Sequence, residues 1–197
     1  MGAIIDMTLS DGRIVPNAVL PLPAGHTVSS GAVSLEVPNV RDLDFIRHLW
    51  ADPDTMEPVG GPVILSPEAA SDWYRRWVAP GSVDRAYWLV ITGSGPVGEI
   101  SLRSFDIQER IADLNVKTAA SARGKGYGRQ ALRGFLWFFF QDLGGAALVD
   151  DVALGNGAGQ SLLLSEGFVR DPTRMEVCRL VLTSARWKAA SSRNGGD

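Results

Sequence analysis

Apolar positions recur along this chain with two periods, and the change from one to the other marks out the elements. AYWLVI over 86–91 and VGEISL over 97–102, split by TGSGP, predict the two strands of a hairpin. IADLNVK over 111–117 alternates in the same way and predicts a further strand. From 128 to 143 the spacing becomes helical: at about 100° per residue, Leu132, Phe135, Phe138 and Phe139 share one broad face and Trp137 falls outside it. Gly144 and Gly145 close that helix. A strand over 147–154, a helix over 157–166 ended by Gly167, and a last strand over 175–182 follow.

Upstream, a strand is predicted over 32–37, and Asn39 caps a helix over 41–50 with Leu43, Ile46, Leu49 and Trp50 at helical spacing. Ser66-Pro67 opens a second helix, through about Val78. Between the two, ADPDTMEPVGGPVILSP is rich in proline and glycine and predicts a long mobile loop. MTLSDGRIV predicts a short hairpin turning at Asp11-Gly12, and LPLPAGH a loop. The expected organisation is an extension over 1–30, one domain over 31–190 and a disordered tail over 191–197. With hairpins early and strand–helix units late, the fold class is α/β (α+β), a mixed and mostly antiparallel central sheet flanked by helices.

Composition narrows the field. The 197 residues suffice for one domain with a real core. A net charge of −3, with no long basic block, argues against nucleic acid as partner. Cys178 is the single cysteine, and His26 and His48 match no metal-ligand spacing, so no metal is expected. The longest apolar run, FLWFFF over 135–140, is too short to span a membrane. MGAIIDMTLSDG at the start lacks the regions of a secretory signal. A cytoplasmic protein is expected. Cys178 is expected in the core, and Trp137, off the apolar face of its helix, as a homodimer contact or under a neighbouring loop or tail.

The chemistry is carried by ARGKGYGRQAL, from Ala122 to Leu132, a glycine-rich loop opening a helix. Such a loop presents backbone N–H groups and the positive end of the helix to phosphate. A nucleoside triphosphate loop needs G-x-x-x-x-G-K-[ST], and here Lys125 is followed by Gly126. A dinucleotide fingerprint, Gly126-x-Gly128-x-x-Ala131, puts its first glycine too far past the strand, because Thr118–Lys125 intervene. The remaining pattern is Arg123-x-x-Gly126-x-Gly128, a wider loop suited to a diphosphate across a helix N-terminus.

That segment resembles the Q/R-x-x-G-x-G/A motif of the GNAT superfamily of acetyl-CoA-dependent N-acetyltransferases. NGAGQSLLLSEGF, from Asn156 to Phe168, resembles the family motif that follows it. AYWLVI, VGEISL, ADLNVK, VRDLDFI and LTSARW are similar to the RimJ/RimL-like branch, and the resemblance covers roughly residues 32–188.

The resemblance implies acetyl-CoA as co-substrate, entering between splayed strands. The main chain of Val116 and Thr118 then pairs with the pantetheine amides, with Lys117 between them in the cofactor site. The N–H groups of Gly124, Lys125, Gly126, Tyr127, Gly128 and Arg129 hold the pyrophosphate, Arg123 and Lys125 either add charge or are simply solvated, and Asn156 bonds the pantetheine or the ADP half. An N–H near Val116 serves the oxyanion. The attacking amine must lose a proton, and Asp151, Asp113 and Glu99 are the candidate catalytic bases. The tyrosine acid of many relatives is replaced by Leu163, and a serine of some by Gly159. The acceptor is a protein N-terminus or a small amine, at a site built from the first two helices and their loop. Asp52, Asp54 and Glu57 of that loop are either attractors of a cationic amine or caps and solvated charges. Trp73 and Trp77 are either core or a substrate platform. A module that binds acyl-CoA without turnover, and an aminoglycoside-type transferase, are the alternatives.

Overall fold

The structure, a computed structural model, describes residues 7–8, 14–15, 20 and 27–194. A small pair, β1 (Met7–Thr8) and β2 (Ile14–Val15), joins Met7 to Val15 and Thr8 to Ile14. This is the predicted hairpin, whose turn at Asp11-Gly12 lies outside the described residues. The main sheet begins with β3 (Thr27–Ser30) and β4 (Val33–Glu36), so β3 arises within the segment expected as an extension. Helices α1 (Leu43–Ala51), α2 (Pro53–Met56) and α3 (Pro67–Trp77) follow. Then come the hairpin β5 (Ala86–Thr92) and β6 (Gly95–Asp106), and β7 (Ile111–Thr118). The second half holds α4 (Tyr127–Trp137), β8 (Ala147–Val152), α5 (Gly157–Ser165), β9 (Val169–Asp171), β10 (Cys178–Thr183) and α6 (Ser184–Asn194).

The eight strands are ordered β3-β4-β5-β6-β7-β8-β10-β9. Every neighbouring pair is antiparallel except β7 and β8. Period-two alternation divides the side chains between two layers. Trp88, Ile100, Leu102, Leu114, Leu148 and Leu180 form one core with Leu132 and Phe135 of α4. Tyr87 and Leu89 turn the other way and pack with Ile46 of α1 and Trp73 of α3.

Three consecutive phenylalanines are buried after α4, which one face of an ordinary helix cannot achieve. Over Phe138–Asp142 the helix widens to the π form, and its side chains fan out. Phe138 meets Trp88, Phe139 meets Phe105, and Phe140 stacks on Trp187 of α6. Trp137 is 55% exposed, and the edge of its ring pair is supplied by Trp187, so the C-terminal helix gives it partial cover. Cys178 is buried as expected.

The structure corrects several boundaries. The loop expected after Trp50 contains α2, started by an Asp52 cap with Pro53 at its first position. The last strand begins at Cys178 rather than 175, and a short strand, β9, precedes it. The final helix runs to Asn194, through Ser191, where a disordered tail was expected. Its Trp187 is buried in the main core, which ties the helix down.

Gly98 marks where β6 and β7 approach most tightly, since a Cβ there would run into the carbonyl oxygen of Lys117. Backbone cannot yield as a flexible side chain can. Gly98→Ala should therefore destabilise the fold by about 2 kcal/mol. Thermal unfolding followed by circular dichroism checks this, and an unchanged midpoint would show that the two strands can separate without cost.

Candidate active site

The site starts where pairing stops. β7 and β8 run parallel through Ile111–Ala147, Ala112–Leu148 and Asp113–Val149, and no pair follows. β7 continues to Thr118 and β8 to Val152, so the strands part as the resemblance implied. The fork opens into a cavity of about 190 Å³ lined by Val116, Lys117 and Thr118 on one side and Asn156, Gly159 and Leu162 on the other. A second cavity of about 500 Å³ runs from Thr118 and Leu162 along Gly124, Gly126, Tyr127, Gly128 and Arg129.

That second wall presents main-chain donors to the cavity's glycine-rich side. Gly126, at φ 79°, ends the loop in the left-handed region and opens α4 without any side-chain cap. By contrast Asp52, Ser66 and Asn156 cap α2, α3 and α5. The first N–H groups of α4, at Tyr127, Gly128 and Arg129, thus stand at the positive end of an eleven-residue helix with no capping oxygen. Lys125 is exposed beside them. These features suit the diphosphate of coenzyme A.

The side chains of the two arginines of the loop have partners within the fold. Arg123 donates to the carbonyl oxygens of Asp54 and Thr55, each at 2.9 Å. Arg129 ion-pairs with Glu166 at 3.4 Å and reaches Ser165 at 3.3 Å. Asn156 accepts the α5 cap bond from the Gly159 N–H at 2.9 Å through its oxygen, and the residue lines the fork cavity. A Cβ at Gly159 would crowd that amide, so any larger residue there makes the Asn156 side chain shift.

Sequence reasoning missed the roof of the fork. Thr55 of α2 is buried, donates its hydroxyl to Asp52 and accepts the Ala120 N–H at 2.9 Å. Together with Arg123 it ties α2 to the segment before the glycine loop, and Pro58 and Val59 complete that side of the cavity. The signal was the Asp52-Pro53 pair, a helix start inside an apparent loop. Asp52 is thus a cap, whereas Asp54 and Glu57 are exposed. Trp73 is core, wedged against Trp50, Trp77 and Tyr87.

The three expected carboxylates are not gathered at one point. Glu99, 1% exposed, is held by Trp50 Nε1 at 2.6 Å, by the Tyr87 hydroxyl and by Lys117 Nζ. Asp151 is gripped through both oxygens by Arg179, at 2.8 and 3.0 Å, with Arg174 at 3.6 Å, and these guanidinium bonds hold its carboxyl below the usual range. Asp113 is half-buried, opposite Arg103 on β6 and Val149 on β8. Asp150, not among them, is the first residue of β8 beyond the last parallel pair. Burial foremost pushes its carboxyl up to about 7. The charges of Asp151 and Asp113 add to that rise, while Arg103 and Lys117 oppose it. A carboxyl poised there is suited to proton transfer near neutrality. Its spacing gave no hint, since its environment depends on where the strands part.

Residues 33–169 match the model of a family described as an acetyltransferase (GNAT) domain. A search of curated proteins by sequence found no match. Among solved structures, a Vibrio cholerae spermidine N-acetyltransferase in complex with CoA and spermine superposes with a TM-score of 0.73 at 18% identity, covering 80% of this chain and 98% of that one. A second Vibrio cholerae protein, provisionally assigned as a ribosomal-protein-serine acetyltransferase, gives 0.68 at 16%, covering 82% and 99%. A T. thermophilus protein, provisionally assigned as an acetyltransferase, gives 0.69 at 20%, covering 87% and 95%. Each similarity is one of fold.

The Asp150 carboxyl can be read through stability. It titrates at about 7 in the folded protein, against an ordinary value of 3.8. Its contribution is therefore full below the unfolded value and lost as pH rises through the folded one. Asp150→Asn should melt above the parent at about pH 8, with the gap narrowing steadily toward about pH 4. A gap independent of pH would remove Asp150 as a buried titrating group.

Proposed function

The chain belongs to the GNAT acetyltransferase family, and we propose that it moves the acetyl group of acetyl-CoA to a primary amine by direct attack of the amine on the thioester. The observation that carries this reading is the fork: two strands part beside an uncapped helix N-terminus, and both lead into continuous cavities. Acetyl-CoA supplies an acetyl group activated as a thioester. The main chain of Val116, Lys117 and Thr118, beyond the last pair with β8, offers hydrogen bonds to amides, in the manner of strand addition. Gly124, Lys125, Gly126 and the first N–H groups of α4 hold the diphosphate. Asn156, with its oxygen engaged in the cap, donates from its amide nitrogen. The Val116 N–H donates to the thioester oxygen.

Asp150 takes the proton from the incoming ammonium, directly or through water, in preference to Asp151 and Glu99, which are committed to Arg179 and to Lys117. Asp113 shares the region and raises the Asp150 carboxyl. Leu163 is buried in the core, so the position at which many relatives carry a tyrosine offers no hydroxyl to the leaving thiolate, and solvent protonates it. The acceptor is a protein N-terminus or a small amine. The RimJ/RimL-like segments and the neighbour assigned to ribosomal protein favour the first, and the spermidine N-acetyltransferase neighbour the second. The protein acts in the cytoplasm on this reading. Among the described residues no helix is long and apolar enough to cross a membrane. Leu163 also favours a second reading, an acyl-CoA-binding module without turnover.

Thermal unfolding with coenzyme A, acetyl-CoA, NADH and ATP tests the site. A ligand at about a hundredfold over its dissociation constant adds roughly 2.7 kcal/mol. A rise with the two CoA species alone is expected, and a rise with NADH instead would overturn the reading. Thiol release from acetyl-CoA with a panel of amines then separates transferase from sensor. Asp150→Asn should lower kcat by at least about a hundredfold while leaving CoA affinity unchanged.

A further inference from the structure

The Lys117 ammonium is surrounded as a bound amine would be. It ion-pairs with the buried Glu99 carboxylate, donates to Asn115 Oδ1 at 3.0 Å, and lies 5.5 Å from the centre of the Trp50 ring. A carboxylate, an amide oxygen and an aromatic face are the three groups that recognise an alkylammonium ion. The receptor is itself fixed, because Trp50 Nε1 and the Tyr87 hydroxyl both donate to the second oxygen of Glu99. Burial and the adjacent Glu99 push the Tyr87 hydroxyl well above its ordinary range, so it remains a donor. The Lys117 side chain is 13% exposed, and the residue lines the fork cavity between Val116 and Thr118. The residue thus borders the fork cavity while its ammonium meets Glu99.

We propose that Glu99, Asn115 and Trp50 form an ammonium subsite of the acceptor cleft, occupied by Lys117 of the same chain, and that Lys117 thereby determines specificity against polycationic acceptors. The tethered ammonium outcompetes a free one, because its effective concentration is set by a single side chain. It also leaves no uncompensated carboxylate at this point for the second charge of a polyamine. Further along the same face of the sheet, Ser101 stands opposite Asn115 and Arg103 opposite Asp113, and Arg179 and Arg174 neutralise Asp151. The cleft floor is balanced in charge and fits an acceptor bearing one ammonium group. This deepens the acetyl-transfer reading and rests on it for the acceptor's identity, but the subsite can be tested without turnover.

Lys117→Ala removes the side chain that now fills the subsite and strips Glu99 of its cation. n-Propylammonium chloride at millimolar concentration should raise the unfolding temperature of Lys117→Ala by several degrees over sodium chloride at equal ionic strength. It should leave the parent and the Glu99→Gln/Lys117→Ala variant unmoved. An equal response in all three would overturn the subsite. Should Lys117→Ala fail to fold alone, refolding in n-propylammonium but not in sodium chloride is the same rescue, and refolding in neither overturns the proposal. On the unaltered protein, kcat/KM for spermidine should lie at least about tenfold below that for n-propylamine, and Lys117→Ala should narrow the ratio. Equal use of the two amines by the parent would overturn the specificity role. Thiol release with no amine at all would instead count against acetyl transfer, with the rescue experiment still judging the subsite.

Discussion

The active site follows from one deficit in hydrogen bonding. A sheet satisfies its backbone by pairing, and β7 and β8 stop pairing after Asp113 and Val149 although both continue as strands. The outer edge of β8 is still met by β10 and that of β7 by β6, so the fork is held open from both sides. Unpaired main chain inside a fold needs a partner that carries amides of its own. A cosubstrate with an amide-bearing arm and a diphosphate tail meets both demands, one at the fork and one at the start of α4. The long antiparallel arm made by β5 and β6 and the second arm made by β8 and β10 are what give the fork its rigidity.

On the acceptor side the governing feature is a buried carboxylate. Glu99 draws donors from α1, β5 and β7 onto one group, and so fixes the floor of the cleft against the first helical layer. Burying such a charge without partners would cost several kcal/mol, and removing one partner of a buried pair costs about 3–5 kcal/mol. The network therefore couples packing to charge: Trp50 is at once a hydrogen-bond donor, a wall of the Trp73 cluster and a face for Lys117. A carboxylate so engaged defines a surface rather than a proton acceptor.

Period and punctuation made most of the fold legible. The β5–β6 hairpin, β7, α4, β8 and α5 were all visible, because each has a strong apolar repeat or a glycine stop. What escaped was decided by tertiary partners. Phe140 packs between Phe139 and the Trp187 that α6 brings to it, and α6 in turn extends past Ser191, anchored by that contact. The glycine loop and Asn156 were legible as a motif, since backbone recognition of phosphate restricts residue type. The environments of the individual carboxylates were not legible. Asp150 and Asp151 are adjacent, yet one lies half-buried where the strands separate and the other lies against Arg179, a difference that no spacing encodes.

The same distinction governs the basic residues of the glycine loop. Positive charge near a phosphate loop suggests direct contact, but Arg123 and Arg129 each have a nearer partner within the fold. Arg123 closes two carbonyl oxygens of α2, a helix too short to satisfy its own C-terminal end. Arg129 neutralises Glu166 at the end of α5, jointly with Arg133. Each bond positions an element that lines a cavity: α2 above the fork, α5 beside the diphosphate wall. On the proposed reading the anion is left to backbone N–H groups, whose direction is fixed by the fold and carries no side-chain entropy to lose. The arginines then shape the walls, and the uncapped start of α4 is what remains to meet a diphosphate.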